Sequence, residues 1–148
     1  MLVKGTLPAP LPPLVPGLSL RVALERLDTA AIAKVVLIEN LDSFDDWEDY
    51  PAPPELAGSL IVYRGHRGLA RGARQLLERL PPATRVIVFP DYDPAGLAIA
   101  AALPRIDELL LPKRCWPPAA VPTSLASSVR RLSWKIPIWT AGRTSGRQ

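Results

Sequence analysis

The sequence predicts an α/β fold built on a small parallel sheet of four strands with flanking helices. Two continuous apolar runs, at residues 35–38 and 86–89, are rich in β-branched side chains, which is typical of strands buried on both faces. An acid follows each run closely, Glu39 after the first and Asp91 after the second. Helical patterns lie between the later strands, as expected where crossovers join parallel strands.

The first part of the chain is expected to be mostly irregular. Residues 1–18 are rich in proline and leucine and predict an extended segment. Residues 20–27 predict a short helix, with Ser19 placed as its N-cap. The first strand covers residues 35–39. An acidic loop follows at 42–54, where prolines leave room for only one helical turn.

The middle of the chain carries the clearest periodicity. The second strand covers residues 59–63, and a helix follows over 69–80, ended by Pro81 and Pro82. The third strand covers residues 86–89. Asp93 is placed as the N-cap of the next helix, over 95–103, with Pro94 at its first position. A fourth strand is predicted at 108–111.

Proline divides the chain into three parts. The 18 prolines cluster outside the strands and predict a proline-rich N-terminal segment (1–30), an α/β domain (31–112) and a C-terminal tail (113–148). A domain of about 80 residues is small but viable. We expect the chain to be a subunit or a fragment of a larger protein.

The charge distribution favours a polyanionic partner. The net charge is +4, and every charged residue after Pro112 is basic. Such a tail indicates contact with DNA or another nucleic acid, although a solvated, irregular end explains it equally well. With a single cysteine, no signal peptide and no apolar run long enough for a bilayer, the sequence predicts a cytoplasmic protein without membrane contact.

Three carboxylates form the candidate catalytic and metal-binding set: Glu39, Asp91 and Asp93. Ligand sites of open α/β sheets lie beyond the carboxyl ends of the strands. Mg²⁺, or Mn²⁺ in its place, takes oxygen ligands and suits paired carboxylates. Glu39 is a candidate for a further ligand or a general base. The alternative is that Asp91 and Asp93 only shape a turn and a helix start.

Three basic side chains follow the second strand and are candidates for contacts with phosphate or nucleic acid: Arg64, His66 and Arg67. Glycines on either side allow a phosphate to approach the backbone. A plain strand-to-helix turn with solvated cations is the competing interpretation. The sequence has no zinc ligand set, P-loop or nucleophile elbow.

The Glu39-Asn40 pair and the Asp91-Tyr92-Asp93-Pro94-Ala95-Gly96 element together resemble the Toprim signature. Within that family the chain looks most like the Toprim nuclease subunit of bacterial condensin-like plasmid-defence systems of the Wadjet type. The resemblance covers about residues 34–112. It implies a small parallel α/β fold, Mg²⁺ held by Glu39, Asp91 and Asp93, DNA cleavage, and condensin-like partner subunits.

Three functions remain open. The first is a Mg²⁺-dependent Toprim endonuclease acting on DNA. The second is a non-catalytic Toprim-like module that binds nucleic acid or a partner protein. The third is a phosphatase of the haloacid-dehalogenase type, but that family places its Asp-x-Asp pair on its first strand, and here the pair follows the third.

Overall fold

The computed structural model describes residues 1–50, 52–66, 68–91, 93–112, 123–125 and 129–132. These residues form a mixed seven-stranded sheet with the order β2-β1-β4-β3-β5-β6-β7. The strands are β1 (Leu2–Gly5), β2 (Leu20–Arg21), β3 (Lys34–Ile38), β4 (Leu60–Tyr63), β5 (Arg85–Phe89), β6 (Glu108–Pro112) and β7 (Val129–Leu132). The α-helices are α1 (Leu41–Asp45), α2 (Gly68–Arg79) and α3 (Pro94–Ala101). None of the described helices has the length and apolarity needed to cross a membrane.

The α/β class is confirmed, but the expectation of a four-stranded parallel sheet is wrong. The four predicted strands are present as β3 to β6 and are parallel to one another. Beyond them, β1 pairs antiparallel with β4, β2 pairs antiparallel with β1, and β7 adds parallel to β6. β2 has only two residues, and the four-residue strands β1 and β7 contain charged side chains, so neither is a continuous apolar run like β4.

The prediction of a helix at residues 20–27 is also wrong. Leu20 and Arg21 form β2, and only Leu24–Arg26 makes a 3₁₀ turn. Pairing of Leu20 with Val3 and of Arg21 with Leu2 extends the chain there. Tertiary pairing has therefore overridden a weak local helix preference.

The alternating side chains of the central strands face two separate apolar layers. Leu37 and Val62 point to the side covered by α2 and α3 and pack in one cluster with Leu76 and Leu97. Their neighbours Val36 and Ile38 point to the other side, where Phe44 and Trp47 cover them. Burial on both faces explains why these strands are continuous apolar runs.

The three central strands end together at one edge of the sheet. Ile38, the last residue of β3, pairs with Tyr63 at the end of β4 and with Phe89 at the end of β5. The backbone N–H of Arg64 then donates to Ile38 O at 2.7 Å, and that of Glu39 donates to Phe89 O at 3.1 Å. The residues that follow these strands are thereby held side by side.

Candidate functional site

Glu39 lies at the centre of this edge and is only 6% exposed. The Asp91 backbone N–H donates to Glu39 Oε2 at 3.1 Å, and Arg64 Nη2 lies 3.8 Å from Glu39 Oε1. Burial is the main reason that the pKa of Glu39 is raised, and the charges of Asp91 and Asp93 raise it further. The hydrogen bond from Asp91 and the charge of Arg64 oppose this increase. Glu39 is therefore a buried acid with other acids close by.

Asp91 is half-buried beside Glu39, two residues beyond the end of β5. Burial raises its pKa, and the charge of Asp93 adds to the effect. A hydrogen bond from the Asn40 side chain and electrostatic interactions with Arg64 and His66 act in the opposite direction. The structure thus brings Asp91 into the same electrostatic environment as Glu39.

Asp93 is exposed and serves as the N-cap of α3, as the sequence predicts. Its Oδ1 accepts a hydrogen bond from the Gly96 N–H at 2.7 Å. The first turn of α3 packs very closely against the preceding loop, since a Cβ atom at Gly96 would lie 2.3 Å from Asp91 O. Asp93 therefore combines a structural role with its charge at the site.

Arg64 and His66 reach the same edge. The Arg64 side chain is 18% exposed, and its charge acts on both Glu39 and Asp91. His66 is exposed and lies edge-on to the Tyr63 ring, with 6.1 Å between the centroids. Arg67, the third predicted phosphate contact, lies outside the described residues. Two of the three predicted phosphate contacts, Arg64 and His66, thus lie near the carboxylates.

Asn40 is a site residue that the sequence interpretation did not assign. Its Oδ1 accepts the Ser43 N–H at 3.2 Å and caps α1, while hydrogen bonding from its side chain lowers the pKa of the Asp91 carboxyl. An asparagine before a short helix is a recognisable N-cap signal. The second contact depends on β5 lying beside β3, which no local pattern reveals.

One known protein family matches most of the chain. A family model described as a domain of unknown function, DUF7281, matches residues 2–124. The chain belongs to this family. The match takes in β1 to β6 and all three carboxylates. No curated protein and no solved structure matches the chain.

The acids of this DUF7281 site suit a divalent cation that keeps part of its water shell. Within the described part of the chain, no three His, Cys, Asp or Glu side chains lie together in a metal-binding arrangement. Mg²⁺, however, commonly takes only one or two carboxylates and fills its other positions with water and phosphate oxygens. Glu39 and Asp91 fit that smaller donor set, because each is a partly desolvated acid near other negative charges. A cation between them would relieve this repulsion.

Proposed function

We propose that this DUF7281 chain is a Mg²⁺-dependent DNA endonuclease of the Toprim type. One observation carries the proposal: Glu39 and Asp91 lie side by side where the neighbouring strands β3 and β5 end. The Asp91 N–H donates a hydrogen bond to the Glu39 carboxylate. Ligand sites of open α/β sheets form at this position. The raised pKa values of both acids mark a site with perturbed ionisation, which is more frequent at functional sites than elsewhere.

In this proposal Glu39 and Asp91 hold the metal, and Asp93 contributes charge and fixes the start of α3. A bound Mg²⁺ would polarise a phosphoryl oxygen as a Lewis acid. As an alternative to holding the metal, Glu39, whose pKa is raised, would act as a general base and accept a proton from the attacking water. Arg64 and His66 lie on the same edge and would bind the phosphate that carries the reacting bond.

A polynucleotide substrate fits the charge of the chain better than a small phosphomonoester. The net charge is +4, and the basic residues after Pro112 would add to Arg64 and His66 in attracting a polyanion. Mn²⁺ would replace Mg²⁺ at an all-oxygen site. From the Toprim resemblance we further propose a role in cytoplasmic plasmid defence, together with condensin-like partner subunits.

A non-catalytic, Toprim-like binding module is the second candidate. It is favoured by the contacts that the acids already make with the protein itself. The charge of Arg64 partly neutralises Glu39, and the Gly96 N–H donates a hydrogen bond to one carboxylate oxygen of Asp93. In such a module the carboxylates would organise the edge of the sheet for binding nucleic acid or a partner protein.

Plasmid cleavage separates the two candidates. We expect the full chain to nick supercoiled plasmid in Mg²⁺ or Mn²⁺ and to be inactive in EDTA. Asp91→Ala should lower the rate by about 100-fold or more, the loss typical when a key electrostatic group is removed. Asp49→Ala, which removes an exposed acid outside the site, should retain wild-type activity.

The result that would favour the binding module is equally clear. If the wild-type protein, alone and co-purified with its native partners, gives no metal-dependent nicking, the endonuclease proposal is wrong. Activity against a small phosphomonoester instead of plasmid would point to the haloacid-dehalogenase type.

A further inference from the structure

Arg64 is a half-buried cation with few hydrogen-bond partners within the described part of the chain. Its side chain is 18% exposed, and its closest acid is Glu39, with 3.8 Å between Nη2 and Oε1. That distance is too long for a hydrogen bond. Its Nε atom is buried and has no hydrogen-bond partner within the described part of the chain. A guanidinium offers five N–H donors, so most of its binding capacity at this edge remains available.

Lys4 shows how this fold satisfies a buried cation with a permanent structural role. Its Nζ donates to Phe44 O at 3.0 Å, to Asp45 O at 2.9 Å and to Glu48 Oε2 at 2.7 Å. All three ammonium donors are therefore used. Arg64, by contrast, interacts with Glu39 through charge alone, without a hydrogen bond that would fix the guanidinium in place. The guanidinium can therefore leave Glu39 for another anion.

The position of Arg64 permits such an exchange. Its backbone N–H is bonded to Ile38 O, so the Cα is fixed to the sheet beside Glu39. Gly65 follows with a φ of 77°, which turns the chain away immediately after the strand. Only the long side chain needs to rotate for the guanidinium to leave the carboxylate.

We propose that Arg64 is an exchangeable counter-cation, which balances Glu39 and Asp91 in the metal-free protein and passes to a DNA phosphate when a divalent cation binds. This inference rests on the proposed metal-dependent function. Arg64 and the metal carry the same sign of charge, so each weakens binding of the other at Glu39. A phosphate that draws Arg64 away would strengthen metal binding, and by linkage the metal would strengthen phosphate binding.

The test compares metal binding without DNA in the full-length wild type, Arg64→Gln and Arg64→Lys. Mn²⁺ is titrated calorimetrically at mildly alkaline pH, where protons compete least for the carboxylates. Arg64→Gln should bind Mn²⁺ about 5-fold more tightly or better, within the usual range of coupling between sites. Arg64→Lys keeps the charge and should stay close to the wild type. Arg74→Gln, which removes an exposed arginine of α2, should have no effect.

A second readout does not require metal binding by a variant. In EDTA, Arg64→Gln should melt at a lower temperature than the wild type, because two neighbouring acids lose their shared cation. In the wild type, the Arg64 Nε–H signal in a ¹⁵N spectrum, assigned by its loss in Arg64→Lys, should shift when Mg²⁺ is added. This signal keeps the inference testable even if Arg64→Gln does not fold.

The outcomes distinguish the inference from the proposed function. If the wild type binds Mn²⁺ and Arg64→Gln binds it no more tightly, the counter-cation role is wrong and the metal site stands. An Arg64 signal that does not move on saturation with Mg²⁺ leads to the same conclusion. If neither the wild type nor any variant binds Mn²⁺, both the metal-dependent function and the inference are overturned.

Discussion

At the scale of single residues, the site is defined by two partly desolvated acids, Glu39 and Asp91. Glu39 and Asp91 have raised pKa values, chiefly because burial penalises their charged forms. Each of these groups binds more protons in the folded chain than in the unfolded chain. The free energy of unfolding therefore falls as pH rises from the pKa of the group in the unfolded chain to its higher pKa in the folded chain. In the metal-free protein these acids therefore oppose folding at neutral pH.

Asp91→Asn should consequently stabilise the metal-free protein at neutral pH. The gain in melting temperature should shrink on acidification and vanish below pH 3.8, the ordinary pKa of an aspartate, where Asp91 is neutral in both states. Thermal melts in EDTA across this range provide the measurement, with the exposed Asp49→Asn as control. A variant less stable than the wild type at neutral pH would show that the hydrogen bond from Asn40 outweighs burial.

The same scale includes a buried cation that joins β1 to α1. Lys4→Met should lower the free energy of unfolding by about 3 kcal/mol, because it leaves Glu48 and two backbone carbonyls without their partner. Lys34 also donates to two carbonyls, those of Glu55 and Ala57, but nearer the surface, so Lys34→Met should cost less than about 1 kcal/mol. Equal losses in urea denaturation would contradict the structural role of Lys4.

At the scale of elements, the decisive contact is between α3 and the loop that ends β5. Gly96→Ala would place a Cβ 2.3 Å from Asp91 O and 3.0 Å from Asp91 N, so the loop has to move. We expect a loss of about 1–3 kcal/mol, the usual range for overpacking, and loss of metal-dependent activity. Urea denaturation and plasmid nicking measure the two effects.

Gly72 in α2 offers a matched control for this prediction. A Cβ there would meet Met1 Cβ at 3.5 Å, an ordinary contact. Gly72→Ala should therefore stabilise the protein by about 0.5–1 kcal/mol through helix propensity. If Gly96→Ala behaved in the same way, the close approach of α3 to Asp91 would not matter for the site.

At the scale of the whole molecule, the sheet extends beyond the segment that carries the site. β7 pairs along β6 from Leu109↔Val129 to Pro112↔Leu132, so deleting everything after Pro112 would remove a strand together with the basic residues. A test of whether the tail binds DNA therefore needs charge neutralisation. Lys135, Arg143 and Arg147 lie beyond β7 in the sequence and suit this purpose.

Replacing these three residues with glutamine should weaken DNA binding and flatten its salt dependence. Each lost phosphate contact lowers the slope of log K against log salt by about 0.9, because fewer counterions are released. Glutamine at Arg21, Arg26 and Arg79, three exposed positions outside the tail, makes the same change in net charge. Equal slopes for the two triple variants would mean that the tail does not contact phosphate.

What the sequence determined by itself was the local part of the fold. The apolar runs that became β3 and β5, the spacing that became α2, and Asp93 followed by Pro94 at the start of α3 all lie in continuous segments whose patterns reveal their structure. The common position of Glu39 and Asp91 was also predictable, because parallel strands end at one edge of a sheet.

Only the tertiary structure decided the remaining features. β2 is too short to be detected and β1 contains Lys4 and Gly5 instead of a continuous apolar run; both exist because pairing with β4 and with each other holds them extended. The contacts of Arg64 with Glu39, of Asn40 with Asp91 and of Gly96 with Asp91 O depend on which strand lies beside which, or on how closely a helix packs. These contacts join segments that are far apart in the chain or on either side of a turn. The spacing of residues in the sequence does not predict such distances.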